Sequence, residues 1–106
     1  MRKTATLAAP VNGIRRVMTY ATDRGTYLFL YTRLKDGPSD FDHWFETLAE
    51  ADESAAETFA VRAADWAVID DPRPGARHDW IRPTRVKHDA AGKPLRGQFE
   101  PLPPPG

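Results

Sequence analysis

At 106 residues the chain has room for one domain with one core, and the absence of cysteine removes disulfides, thiolate catalysis and cysteine zinc sites together. Its 15 basic and 15 acidic residues cancel, but not locally: residues 1–35 hold seven bases against Asp23, residues 36–71 eleven acids against Arg62, and residues 72–99 seven bases against Asp79 and Asp89. Such blocks either neutralise one another where segments pack or leave a basic face for an anionic partner, and no apolar run approaches the roughly 20 residues that a bilayer crossing needs.

Met1-Arg2-Lys3 followed by Thr4-Ala5-Thr6-Leu7-Ala8-Ala9-Pro10 reads as a loose leader, basic and then weakly apolar, stopped by Pro10 and Asn12-Gly13. From Ile14 the pattern changes. Met18 and Tyr20 alternate with Val17 and Ala21, the period of a strand, and Thr26 to Leu34 continues with β-branched and aromatic residues. Asp23-Arg24-Gly25 between them is a three-residue hairpin loop, with Gly25 free to adopt a left-handed conformation. In this 14–34 hairpin, Tyr27, Phe29 and Tyr31 face one way and Leu28, Leu30 and Leu34 the other. That places the second strand either between two covering layers or beneath a face that meets a partner.

Lys35-Asp36-Gly37-Pro38-Ser39 is a turn. Beyond it two readings compete for residues 40–47. Phe41, Trp44, Phe45 and Leu48 fall at helical spacing behind Ser39, whereas Thr47-Leu48-Ala49-Glu50 is a capping box that would start the helix later and leave 42–46 as a third strand. The second reading is preferred, because a helix from Ser39 would bring Asp52 onto its apolar face. It predicts a helix over about 48–62 with Leu48, Ala51, Ala55 and Phe59 as its buried stripe.

Trp66-Ala67-Val68-Ile69 reads as a short strand ended by Asp70-Asp71-Pro72. Trp80 to Lys87 is an edge strand or extended loop, since Pro83 cannot donate to a ladder. The expected fold is therefore α+β: a small antiparallel sheet led by the 14–34 hairpin, with one amphipathic helix on a face, in the order β-β-β-α-β. Residues 1–99 form this domain, and 100–106 are a flexible proline-rich tail.

Two short words, Asp42-His43-Trp44 and His78-Asp79-Trp80, hold two of the three histidines and two of the three tryptophans. If His43, His78 and Asp79 met in one cavity they would suit a small enzyme or metal site. No histidine pair has helical metal-ligand spacing, however, and no nucleophile elbow, phosphate loop or dinucleotide fingerprint is present. Neither a catalytic residue, a metal ligand nor a cofactor is therefore assigned.

The basic 73–87 segment, carrying Arg73, Arg77, Arg82, Arg85 and Lys87 around Trp80, would serve nucleic-acid binding; alternatively its arginines meet the acidic helix. The reading preferred from sequence is a non-enzymatic accessory module that recognises a protein partner, or itself through the Tyr27/Phe29/Tyr31 face, with an aromatic and arginine surface. Its candidate binding residues are Trp44, Trp66, His78, Asp79, Trp80, Arg82 and Arg85, with Trp44 and Trp66 as walls of a site built on the 70–83 segment. The expected compartment is the cytoplasm, and the bias toward Ala, Arg and Pro points to a GC-rich bacterial genome.

Overall fold

A computed structural model describes residues 1–104, and its sheet begins where the sequence pointed to a leader. Arg2–Val11 is a strand, β1, joined to β2 (Ile14–Thr22) through Asn12-Gly13, whose φ angles of 49° and 81° are those of a tight hairpin turn. β1 is an inner strand, pairing with β2 from Arg2↔Tyr20 to Thr6↔Arg16 and with a later strand on its other side. Pro10 is accommodated where the β1–β2 register shifts between Thr6 and Val11.

β2 turns through Asp23-Arg24 into β3 (Gly25–Tyr31). Gly25 is demanded twice over: its φ is +140°, and a Cβ there would lie 2.4 Å from the Trp44 indole. β3 stops at Tyr31, so Leu34 leaves the alternation and is exposed. The ambiguous 40–47 region is a strand, β4 (Phe41–Phe45), on the outer side of β3.

The helix α1 (Leu48–Phe59) starts at the expected box, with the Thr47 hydroxyl accepting from the Glu50 amide at 3.2 Å. It ends three residues earlier than the periodicity implied. Ala60 takes a left-handed conformation, and the Ala60 and Val61 amides fold back onto the Ala56 and Ala55 carbonyls. Ala51, Ala55 and Phe59 form its buried stripe.

A short 3-10 turn at Ala63–Asp65 leads to β5 (Ala67–Ile69), which pairs with β1. The sheet order is β4-β3-β2-β1-β5, antiparallel throughout, so α1 carries the chain across one face from one edge to the other. A separate ribbon pairs β6 (Thr84–His88) with β7 (Pro94–Pro101). The molecule is α+β, as its patterning indicated, and no helix among the described residues is long and apolar enough to cross a membrane.

The pleat sorts the core into two layers. Ala5, Val17, Leu28 and Leu30 pack with Ile14, Ala55, Phe59 and Val61 beneath the helix. On the opposite face Met18, Phe29 and Tyr31 pack with Tyr20, Tyr27, Ile69 and Ile81. The second cluster is closed by the 70–83 segment. Phe29 is 8% and Tyr31 1% exposed, which corrects the expectation that the Tyr27/Phe29/Tyr31 face is open for self-association.

The C-terminal end also differs from its reading. Of the two readings of residues 80–87, the loop holds for 80–83 and the strand only from Thr84, after Pro83. Glu100 and Pro101 belong to β7, and beyond it the Leu102 amide donates to the Pro83 carbonyl at 3.0 Å. Pro105 and Gly106, the last residues of the expected tail, lie outside the described residues.

Candidate functional site

The segment 70–83 has little regular structure, so its backbone polar groups need partners from elsewhere. The sheet supplies them. Arg2, 2% exposed, points its guanidinium into the underside of the segment, where Nε donates to the Asp70 carbonyl at 2.7 Å and Nη1 to those of His78, at 3.1 Å, and Trp80. Nη2 reaches Ile81 at 3.4 Å. Burial lowers the pKa of Arg2, with Tyr31 and Asp71 opposing the shift, yet a guanidinium keeps its proton and the planar fork suits several carbonyls at once.

Tyr31 donates its hydroxyl to the Asp79 carbonyl, and burial pushes its pKa well up, so the phenol stays a donor. From the β3–β4 loop, Asp36 accepts from the Ile81 and Arg82 amides, both at 2.9 Å. The buried Asp79 carboxylate accepts in turn from the Ser39 amide and hydroxyl, at 2.9 and 3.0 Å. Loop and sheet thus hold each other through charge-assisted bonds to backbone.

Of the concavities that border the segment, two bear on the candidate residues. The first, about 420 Å³, is lined by Tyr27, Phe29, Ser39, Asp42, Arg77, His78 and Asp79 among others. It joins the two His/Asp/Trp words through Asp42 and His78-Asp79, but does not bring their two histidines together. His43 pairs with Leu28 and shares the helix side of β4, whereas His78 lies edge-on to Tyr20, 5.0 Å between centroids, on the opposite face. The sheet therefore separates His43 from His78 and Asp79, so the condition on which the alternative of a small enzyme or metal site rested is not met. The Asp79 carboxylate is engaged by Ser39 and, at 3.6 Å, by Arg77, so it does not orient the His78 imidazole. Among the described residues no three His, Asp or Glu side chains gather as metal ligands.

The second concavity, about 500 Å³, is a more apolar groove. Trp80 and Phe99 form its floor, with ring centroids 5.1 Å apart, and Arg73, Arg82 and Pro83 lie along it. The chain's own extended end makes one wall: Leu102 is bonded to Pro83, and the Pro103 carbonyl accepts from Arg73 at 2.7 Å. Arg82 is 78% exposed and pairs loosely with Asp36 at 3.7 Å. Arg85 pairs with Glu100 at 3.0 Å at the side of the groove.

The candidate residues thus divide. Trp80 and Arg82 line the groove, with Arg85 beside it, while His78 and Asp79 belong to the hollow. Trp44 is half exposed on β4 and pairs with Tyr27, on the same face as the hollow. Trp66 is no wall of either: it packs against the helix-side core, under the Lys3 ammonium at 4.6 Å. The arginines of 73–87 do not meet the helix; Arg77, Arg82 and Arg85 pair with Asp79, Asp36 and Glu100. Arg2, Asp36 and Phe99 are not among the candidates, and Tyr31 figures there only as part of the aromatic face of its strand. Asp36 was visible as a turn acid, but its partners, the amides 45 and 46 residues away, carry no sequence signal. Comparison with protein-family models, with curated proteins and with solved structures finds no match.

Proposed function

We propose that this protein is a small non-enzymatic interaction module that holds an extended segment of a partner polypeptide in the groove over Trp80 and Phe99. The observation that carries the reading is the groove itself: an aromatic floor, arginines at the rim, and a wall already made of extended chain held by backbone bonds. Aromatic and arginine side chains contribute disproportionately to protein-interface affinity. An apolar side chain of the partner would sit on the two rings, and acidic neighbours would meet Arg73 and Arg82. The absence of disulfides is compatible with a reducing compartment, and the reading takes the cytoplasm as the setting.

Nucleic-acid binding by 73–87 is the weaker reading. Arg77 and Arg85 are paired with Asp79 and Glu100, and the remaining Arg73, Arg82 and Lys87 are enough for a peptide's acidic neighbours but few for the counterion release on which nucleic-acid affinity depends.

Selection from a random peptide library, followed by titration of the enriched peptides, tests the proposal. Enriched sequences should combine an apolar residue with acidic neighbours, and Arg82→Glu should weaken them at least about tenfold, while His78→Ala leaves affinity unchanged. No enrichment, or equal binding by the Arg82→Glu protein, would overturn it.

A further inference from the structure

The charge segregation of the sequence survives folding. On α1, Glu50, Glu53 and Glu57 recur at helical spacing and are exposed, and Glu46, also exposed, lies just before the helix. Among the described residues none of these four carboxylates makes an ion pair; the helix's one pair is Asp52 with Lys3 at 2.8 Å. Like charges three and four residues apart oppose the helix they sit on.

The complementary feature is the ribbon. Its base is anchored through Phe99 on Trp80 and through the Arg77 amide on the Thr84 carbonyl. Its outer part, residues 87–98, is exposed at every position except Leu95. There Lys87, Lys93 and Arg96 make no ion pair among the described residues. The acid nearest them in sequence, Asp89, turns its carboxylate to the Ala91 and Lys93 amides, both at 2.9 Å. The molecule is correspondingly long, 46 Å against 29 and 21 Å. A two-stranded ribbon gains little stability alone and is a natural contact arm.

We propose that the outer ribbon of one copy binds the acidic helix stripe of a second copy. The ribbon's own helix does not serve, because it covers the other face of the sheet from the 70–83 segment out of which the ribbon emerges. A copy of the chain is the partner that the charge pattern fits: it carries an unpaired acidic stripe for the ribbon and an unpaired basic ribbon for the stripe, while its net charge is zero. This surface is distinct from the groove and does not depend on the groove's role.

The test is sedimentation equilibrium of the full chain across a salt series, with labelled duplex DNA and RNA tested separately. Wild type should self-associate at about 50 mM salt and weaken at least about tenfold by about 500 mM, as exposed charge pairs are screened. Lys87→Glu with Lys93→Glu and Arg96→Glu should abolish association, and so should Glu53→Lys with Glu57→Lys. Arg15→Glu with Arg24→Glu, exposed cations elsewhere, should leave it intact. A wild type monomeric at high micromolar concentration in low salt would overturn the proposal. So would association that ignores both patches, or one that Arg15→Glu with Arg24→Glu weakens equally. Binding of duplex by a monomeric protein, lost on reversing the ribbon, would overturn it in favour of a nucleic-acid arm. Helical circular dichroism of each variant guards against misfolding.

Discussion

Replacing Arg2 by methionine keeps the aliphatic stem and deletes the fork that holds 70–83. Three closely held carbonyls, those of Asp70, His78 and Trp80, lose a charged donor beneath a closed layer, and that of Ile81 loses a longer one. A buried acceptor left unpaired costs about 1–3 kcal/mol, but the bonds share one guanidinium and the freed segment can rehydrate. The lower end per carbonyl gives a loss of about 3 kcal/mol, a large fraction of a stability on the order of 5–15 kcal/mol. In a domain of this size that lowers Tm by at least about 12 °C. The loss should be uneven: amide exchange accelerates most at Arg77, Ile81 and Arg82, and less in the β2–β3 ladder. Arg2→Lys, with one point donor, should fall between the two proteins. Urea denaturation and hydrogen exchange of all three are the assay. A methionine variant within about 1 kcal/mol of wild type, with unchanged protection in 76–82, would refute the clamp.

Three other residues give sharper signs than magnitudes. Arg16 is buried with its guanidinium 3.7 Å over the Tyr31 ring and all three side-chain nitrogens unpartnered; since desolvation outweighs the ring's attraction, Arg16→Met should raise stability by about 1 kcal/mol in urea denaturation. Ala60 ends α1 at φ 57°, so Ala60→Gly should stabilise by roughly 0.5–1 kcal/mol and raise Tm. The Asp40 carboxylate accepts from the Thr32 amide at 2.7 Å, which holds its pKa below the usual carboxylate range against a smaller opposing effect of burial. Its stabilisation is therefore complete above the unfolded value of about 3.9 and is lost as pH falls through the depressed folded value. The stability gap between wild type and Asp40→Asn, followed by urea midpoints across the acid range, should close there.

The legible parts of the fold were those set by local chemistry. Gly25 announced a hairpin, and Thr47 with Glu50 marked the start of α1. Ala51, Ala55 and Phe59 showed which side of α1 is buried. β1 was hidden because Thr4-Ala5-Thr6 alternates with almost no contrast in hydropathy, while Arg2, its most consequential side chain, imitated the basic start of a leader. Asn12-Gly13 is a turn signal, but so soon after Pro10 it looks like the stop of a leader. The site was legible only in outline. A proline-rich stretch with Trp80 and Arg82 pointed to the right segment, but that segment's conformation is fixed by Arg2, Tyr31 and Asp36, whose contacts to it span more than 40 residues. The two His/Asp/Trp words misled because strand pleating, invisible without the register, sends His43 to the helix side while Asp42 and Trp44 face the other way.

The most direct test of the groove as the recognition site is an amide and indole chemical-shift map of the labelled protein, titrated with the tightest peptide from the library. The groove reading predicts shifts concentrated at the Trp80 indole, Arg82, Thr84 and Phe99 to Leu102, with Tyr27, Asp42 and His78 unmoved. Shifts centred on Tyr27, Asp42 and His78 instead, or along Phe41 to Phe45, would contradict it and move recognition to the hollow or to the β4 edge.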